Sequence, residues 1–208
     1  MRGNYVREGW KIGLGTQYQL DGVNPYMLGL GGGSDSHATI NTFEEFNNQG
    51  NHVFDNTPEQ RRSGPPGQSL GKPGDNLFLT PGTLTGVWVA KNERGPIFDA
   101  MERRESYATS GTRIKVRFFG GYTFPDDLTT QSGWVNQAYS DGVPMGGELA
   151  LSDQPVRIAV QAMKDPDGAN LDRIQIIKLW SDGYREYEKI YDVAISNGRQ
   201  PDPKTGAT

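Results

Sequence analysis

Leu30-Gly31-Gly32-Gly33-Ser34-Asp35-Ser36-His37 is the stretch on which the reading of this chain turns. Tyr26 to Leu30 reads as a short buried strand. The glycines after it let the backbone turn sharply. Asp35 and His37 then lie two residues apart. In extended backbone, residues i and i+2 point to one side, so a carboxylate and an imidazole would face one point. Strand ends are where barrels and open α/β sheets place their reacting groups. The plainer reading is that Asp35 caps a turn and His37 is a loop histidine, because a bare D-x-H is a weak motif.

Composition narrows what such a site can be. The 208 residues suffice for one large domain or two small ones. Mean hydropathy is −0.66, low for a compact globular domain, and 28 glycines with 13 prolines point to turns and long loops. The net charge of −4 argues against a nucleic acid or an anionic membrane as partner. No apolar run is long enough to span a bilayer. There is no cysteine, so disulfides, thiolate zinc sites and a cysteine nucleophile are excluded. The two histidines, His37 and His52, cannot build a multi-histidine metal centre by themselves.

Outward from the glycines, Tyr5 to Leu14 has the spacing of a short amphipathic helix. Thr42 to Phe46 suits one helical turn, with Thr42 as cap and Glu45 three residues on. From Asn47 to Pro81 the pattern dissolves into Gly, Pro, Asn, Gln and Arg, and a loosely packed or disordered excursion is expected. His52 in it reads as a solvated histidine. Leu84 to Ala90 reads as a strand and Asn92 to Glu105 as the best helix, with Ile97, Phe98, Ala100 and Met101 as its stripe. Arg103 and Arg104 suit the negative end of its dipole. A hydroxyl-rich turn, Tyr107 to Thr112, precedes a strand in which Ile114, Val116 and Phe118 alternate with Lys115 and Arg117. Beyond Gly120-Gly121, strand-like runs at 147–151, 156–162, 173–180 and 187–193 alternate with turns, the pattern of an antiparallel β module. Asp165-Pro166-Asp167-Gly168 reads as a plain turn, since it lacks the further acidic ligands of a calcium loop. The tail, 196–208, is expected to be disordered.

Longer strings carry a resemblance. Gly33-Ser34-Asp35-Ser36-His37 resembles the last metal-binding motif of the PHP-type (polymerase and histidinol phosphatase-like) metallohydrolases. The strings 86–90, 97–114 (Ile97-Phe98-Asp99 through Ser110-Gly111-Thr112-Arg113-Ile114) and 117–121 look like one branch of them, the DUF3604 proteins. So do 164–175 and 188–193. The helix and hydroxyl turn are also similar to the related carbamate-hydrolase branch.

The resemblance implies a distorted α/β barrel holding two or three divalent metals, with an H-x-H motif near the start of the full protein. No H-x-H occurs here. The expectation is therefore a fragment lacking the N-terminal barrel half. Residues 1–119 would be the closing elements of a PHP-like barrel with a long loop at 47–81. Residues 120–195 would be the β-rich module, giving an α/β plus β fold. Asp35 and His37 would be metal ligands for zinc, manganese or iron in an incomplete site. Arg113 would clamp the substrate's phosphate or carboxylate; its other reading is a surface ion pair.

The activity implied is hydrolysis of a small phosphate ester by a metal-activated water. The alternatives are carbamate, ester or amide hydrolysis in the same superfamily, or a non-catalytic β-rich binding module. The chain alone is expected to be inactive. A lost N-terminus could have carried an export signal, which leaves a periplasmic or secreted parent open.

Overall fold

The computed structural model describes residues 5–33 and 83–200. Asp35, His37, His52, the helical turn at 42–46 and the excursion 47–81 lie outside the described residues. The chain divides into two compact units, one of Met1–Leu28 with Ala169–Thr208 and one of Gly29–Gly168.

In the larger unit a three-stranded antiparallel sheet carries the core, in the order β4 (Gly142–Pro144), β3 (Lys115–Gly121), β5 (Arg157–Met163). Residue 120, where the sequence changes character, lies within β3. Phe119 pairs with Ala159 on β5 and is fully buried. Its ring meets Trp134 edge-on at 5.7 Å and Tyr139 at 4.9 Å. Both belong to a helix of eight residues, Trp134–Asp141. Phe124, Leu128 and Ala138 complete the cluster. At the β3–β4 end, Gly121 pairs with Gly142, and a Cβ on either would strike the Phe124 ring.

Beside this sheet sits a two-stranded ribbon, β1 (Thr85–Val87) with β2 (Ser106–Ala108), joined by the helix Arg94–Glu102. Trp88 docks it onto β3 by donating its indole N–H to the Val116 carbonyl at 2.8 Å.

In the smaller unit, helix α1 (Val6–Gln17) packs on the hairpin β6 (Arg173–Ser181) and β7 (Glu186–Ile195). Glu188 on β7 receives Arg7 at 3.2 Å and Lys11 at 3.5 Å from that helix. Trp180 stacks on its cross-strand partner Tyr187 at 5.3 Å. Asp182 closes the hairpin by accepting the Tyr184 and Arg185 amides and the Tyr187 hydroxyl.

The expected PHP-like α/β barrel is corrected. The described residues hold three short helices, α1, α2 (Arg94–Glu102) and α3 (Trp134–Asp141), and sheets of two, three and two strands. Every described strand pair is antiparallel, and none of the sheets among the described residues closes on itself. A βα barrel needs parallel neighbours joined by crossover helices. The two described helices that lie between paired strands, α2 from β1 to β2 and α3 from β3 to β4, both return the chain antiparallel. The fold is β-rich.

Smaller expectations shift as well. Tyr26 to Leu30 is not a strand. Pro25 brings no amide proton, Tyr26 donates to the Asn24 side chain at 2.9 Å, and Leu28 is 61% exposed. The run 147–151 forms no strand either, and Leu151 is fully exposed. Of the tail, Ser196–Gly198 form a 3₁₀ turn and the Arg199 guanidinium holds Asp172 at 3.0 Å, while 201–208 lie outside the described residues.

Candidate functional site

The chain reaches the D-x-H motif along an arm, Gly29 to Gly33, laid against the β1–β2 ribbon. The Ser106 hydroxyl donates to the Leu30 carbonyl at 2.8 Å. The Thr85 hydroxyl both receives the Gly32 amide at 2.9 Å and donates to the Gly32 carbonyl at 3.0 Å. A Cβ on Gly32 would stand 2.6 Å from the Leu84 carbonyl oxygen, so this approach requires glycine. Within the triple glycine, Gly32 therefore serves close backbone contact, and the described backbone at 31–33 makes no turn.

The same ribbon leads into the hydroxyl-rich turn. Thr109 brackets Leu84: its amide donates to the Leu84 carbonyl at 2.9 Å, and its hydroxyl receives the Leu84 amide at 3.0 Å. The turn borders a cavity of about 300 Å³ lined by residues 107–112 with Ile114 and Val116. Burial raises the Tyr107 phenol above its ordinary value, against the opposing charge of Arg117.

Arg113 follows the turn. Its amide donates to the Asp165 carboxylate at 2.6 Å, and the Asp167 amide donates to the other oxygen at 3.0 Å. These two bonds, the Arg113 amide first, hold the buried Asp165 carboxyl below the usual aspartate range. The charges of Arg113 and Lys164 act in the same direction. The Lys164 ammonium itself sits on the carbonyls of Asp165, Pro166 and Gly168, at 3.0 to 3.4 Å. Asp165 to Gly168 is thus the plain turn its sequence suggests, closed by the Gly168 amide on the Asp165 carbonyl at 3.1 Å.

A second polar group went unread in the sequence. Glu105, just past α2, is 3% exposed. It accepts the Tyr139 hydroxyl and, at 3.2 Å, the Arg103 guanidinium. Burial, then the bond to Glu105, raises the Tyr139 phenol above its ordinary value. Arg117 lies 3.7 Å over the Trp88 ring and also reaches the Tyr139 hydroxyl. All these groups find partners inside the fold, so the network fastens α2 and the ribbon to α3 and the sheet. Only the burial imposed by α3 reveals Glu105, and that helix was not foreseen.

Asp35 and His37, the expected metal ligands, lie outside the described residues. Among the described residues no three His, Cys, Asp or Glu side chains gather as a metal site. Among them, too, no helix is long and apolar enough to cross a membrane.

The family model of DUF3604, described as a protein of unknown function, matches residues 1–208. The chain belongs to the DUF3604 family. No curated protein and no solved structure matches it. In this DUF3604 protein the family strings at 86–90 and 97–114 fall on one continuous feature. They make up the ribbon, its connecting helix and the turn that borders the cavity.

Proposed function

We propose that this DUF3604 chain supplies part of a divalent-metal-dependent hydrolase site that acts on a small phosphate ester. The observation that supports it most is the clasped arm. Thr85 and Ser106 pin the backbone that leads into Asp35 and His37 to the same ribbon that carries the cavity turn.

One carboxylate and one imidazole form a donor set suited to zinc, manganese or iron. Two ligands leave the shell incomplete, and we place the remaining ligands outside this chain, in an upstream segment bearing an H-x-H motif. The kinship with PHP-type metallohydrolases belongs to this proposal and concerns the ligand chemistry, not a barrel.

The bound metal would lower the pKa of a water toward neutrality. The chain's own residues have distinct tasks. His37 must bind as the neutral imidazole, which ties metal uptake to pH. Asp35 adds negative charge to offset the cation. Arg113, its backbone fixed by Asp165, supplies positive charge for the substrate's oxyanion.

The test compares two polypeptides, this chain and one extended upstream through an H-x-H motif, with zinc or manganese and an aryl phosphate as substrate. Turnover is expected only in the longer polypeptide, and His37→Ala should abolish it. Turnover that survives His37→Ala, or equal turnover by the 208-residue chain alone, would overturn the proposal. A parallel panel of aryl carbamates and carboxyl esters separates phosphorus from carbonyl chemistry.

A further inference from the structure

The bend at 110–112 offers three successive backbone amides that no protein group among the described residues occupies. Buried backbone amides almost always find a partner in the protein. Those at an accessible turn, such as exposed Ser110 and half-buried Gly111 and Thr112, can turn to solvent or a ligand when they do not. Here the amides on either side find partners: Thr109 donates to Leu84, and Arg113 to Asp165. Among the described residues, the amides of Ser110, Gly111 and Thr112 make no hydrogen bond, and neither do the Ser110 and Thr112 hydroxyls. These consecutive residues all line the cavity of about 300 Å³. Unpaired backbone N–H groups bordering a cavity are the donors with which proteins hold oxyanions.

The surroundings fit a small anion on an apolar body. Ile114 and Val116 supply an apolar wall. The carboxylate that meets this loop, Asp165, has both oxygens engaged by amides, and Arg113 and Lys164 oppose its charge. The volume lies at the small end of ligand pockets, where a few placed polar groups fix orientation.

We propose that the amides of Ser110, Gly111 and Thr112 seat the oxyanion of a small ligand whose apolar part rests on Ile114 and Val116. A phosphate monoester and a carboxylate share that chemistry. The inference deepens the hydrolase reading and rests on it for the purpose of the seat. Binding itself is measurable without turnover.

The experiment follows the backbone amide resonances of the full 208-residue chain, in the presence of a metal chelator. Phenyl phosphate, benzoate and the neutral control benzyl alcohol are titrated separately. Saturable shifts of the 110–112 amides with phenyl phosphate alone identify a phosphoryl seat, and shifts with benzoate as well identify a general oxyanion seat. Both results support the proposal. The Gly111→Pro variant, which lacks one of the amide protons, should weaken binding about tenfold. Should that variant fail to fold, Val116→Phe fills the cavity and should abolish the shifts.

His37→Ala should leave this binding unchanged. Turnover is read separately, with metal, in the upstream-extended polypeptide; its loss there on His37→Ala, with binding intact here, separates the fate of the hydrolase reading from that of the seat. No saturable shift at these amides, or equal shifts with benzyl alcohol, would overturn the inference.

Discussion

At the residue scale, the groups with the clearest consequences are two buried carboxylates. Asp165 is held below the ordinary aspartate value of ~3.9 by two backbone amides. The sign follows from proton binding. Below about pH 4 the unfolded chain takes up protons that the folded state still refuses, so stability falls as the pH drops through the folded value. Above the unfolded value the contribution is fully present. Asp165→Asn should therefore flatten the fall in stability between about pH 4 and pH 2, as read by urea unfolding at each pH. An unchanged slope would mean that Asp165 is not the group responsible.

Glu105 makes a sharper demand because it is buried with few partners. Tyr139→Phe leaves its carboxylate with Arg103 and should cost about 1–3 kcal/mol in urea unfolding. Adding Glu105→Gln to Tyr139→Phe should cost less than the sum of the single changes, since both belong to one network. The Asp165 turn was legible in the sequence because Asp-Pro-Asp-Gly carries its own geometry. Glu105 was not, because burial by a distant helix leaves no local mark.

At the element scale, one unforeseen helix explains the main misreading. Alternation in β3 pointed to Ile114, Val116 and Phe118 as the buried side. The structure half-buries Ile114, Val116 and Phe118, and on the opposite face it half-buries Arg117 and buries Phe119 fully, because α3 lies there. The same holds in β5, where Ala159 is buried and Ile158 is 44% exposed. A helix of eight residues between polar loops shows less than three turns of periodicity, and its Trp134, Val135 and Ala138 pass for scattered apolar residues. Elements with longer patterns were legible: α1, α2, β6 and β7 lie where their spacing places them.

The tight β3–β4 end gives a test of this packing. On Gly142 a Cβ would meet the Gly120 carbonyl and the Phe124 ring. Gly142→Ala should destabilise the protein by about 1–3 kcal/mol, the usual cost of overpacking. The same substitution at Gly133, where nothing lies near a Cβ, meets only the cost of its positive φ of 75°. A smaller loss at Gly142 than at Gly133 would contradict the packing described here.

At the scale of the whole molecule, the barrel that the resemblance implied fell because α2 joins antiparallel strands where a barrel needs parallel ones. Both strands and the helix between them are real, but the return is antiparallel, and hydrophobic patterning does not encode strand direction. Family membership was legible because long ordered strings are specific where D-x-H is not. The central claim concerns that motif: Asp35 and His37 hold a metal together. X-ray absorption at the zinc edge of the zinc-loaded chain tests it most directly. The account predicts an imidazole scattering signature that disappears in His37→Ala and persists in His52→Ala. A signature that survives His37→Ala, or its absence from the unsubstituted chain, would contradict it.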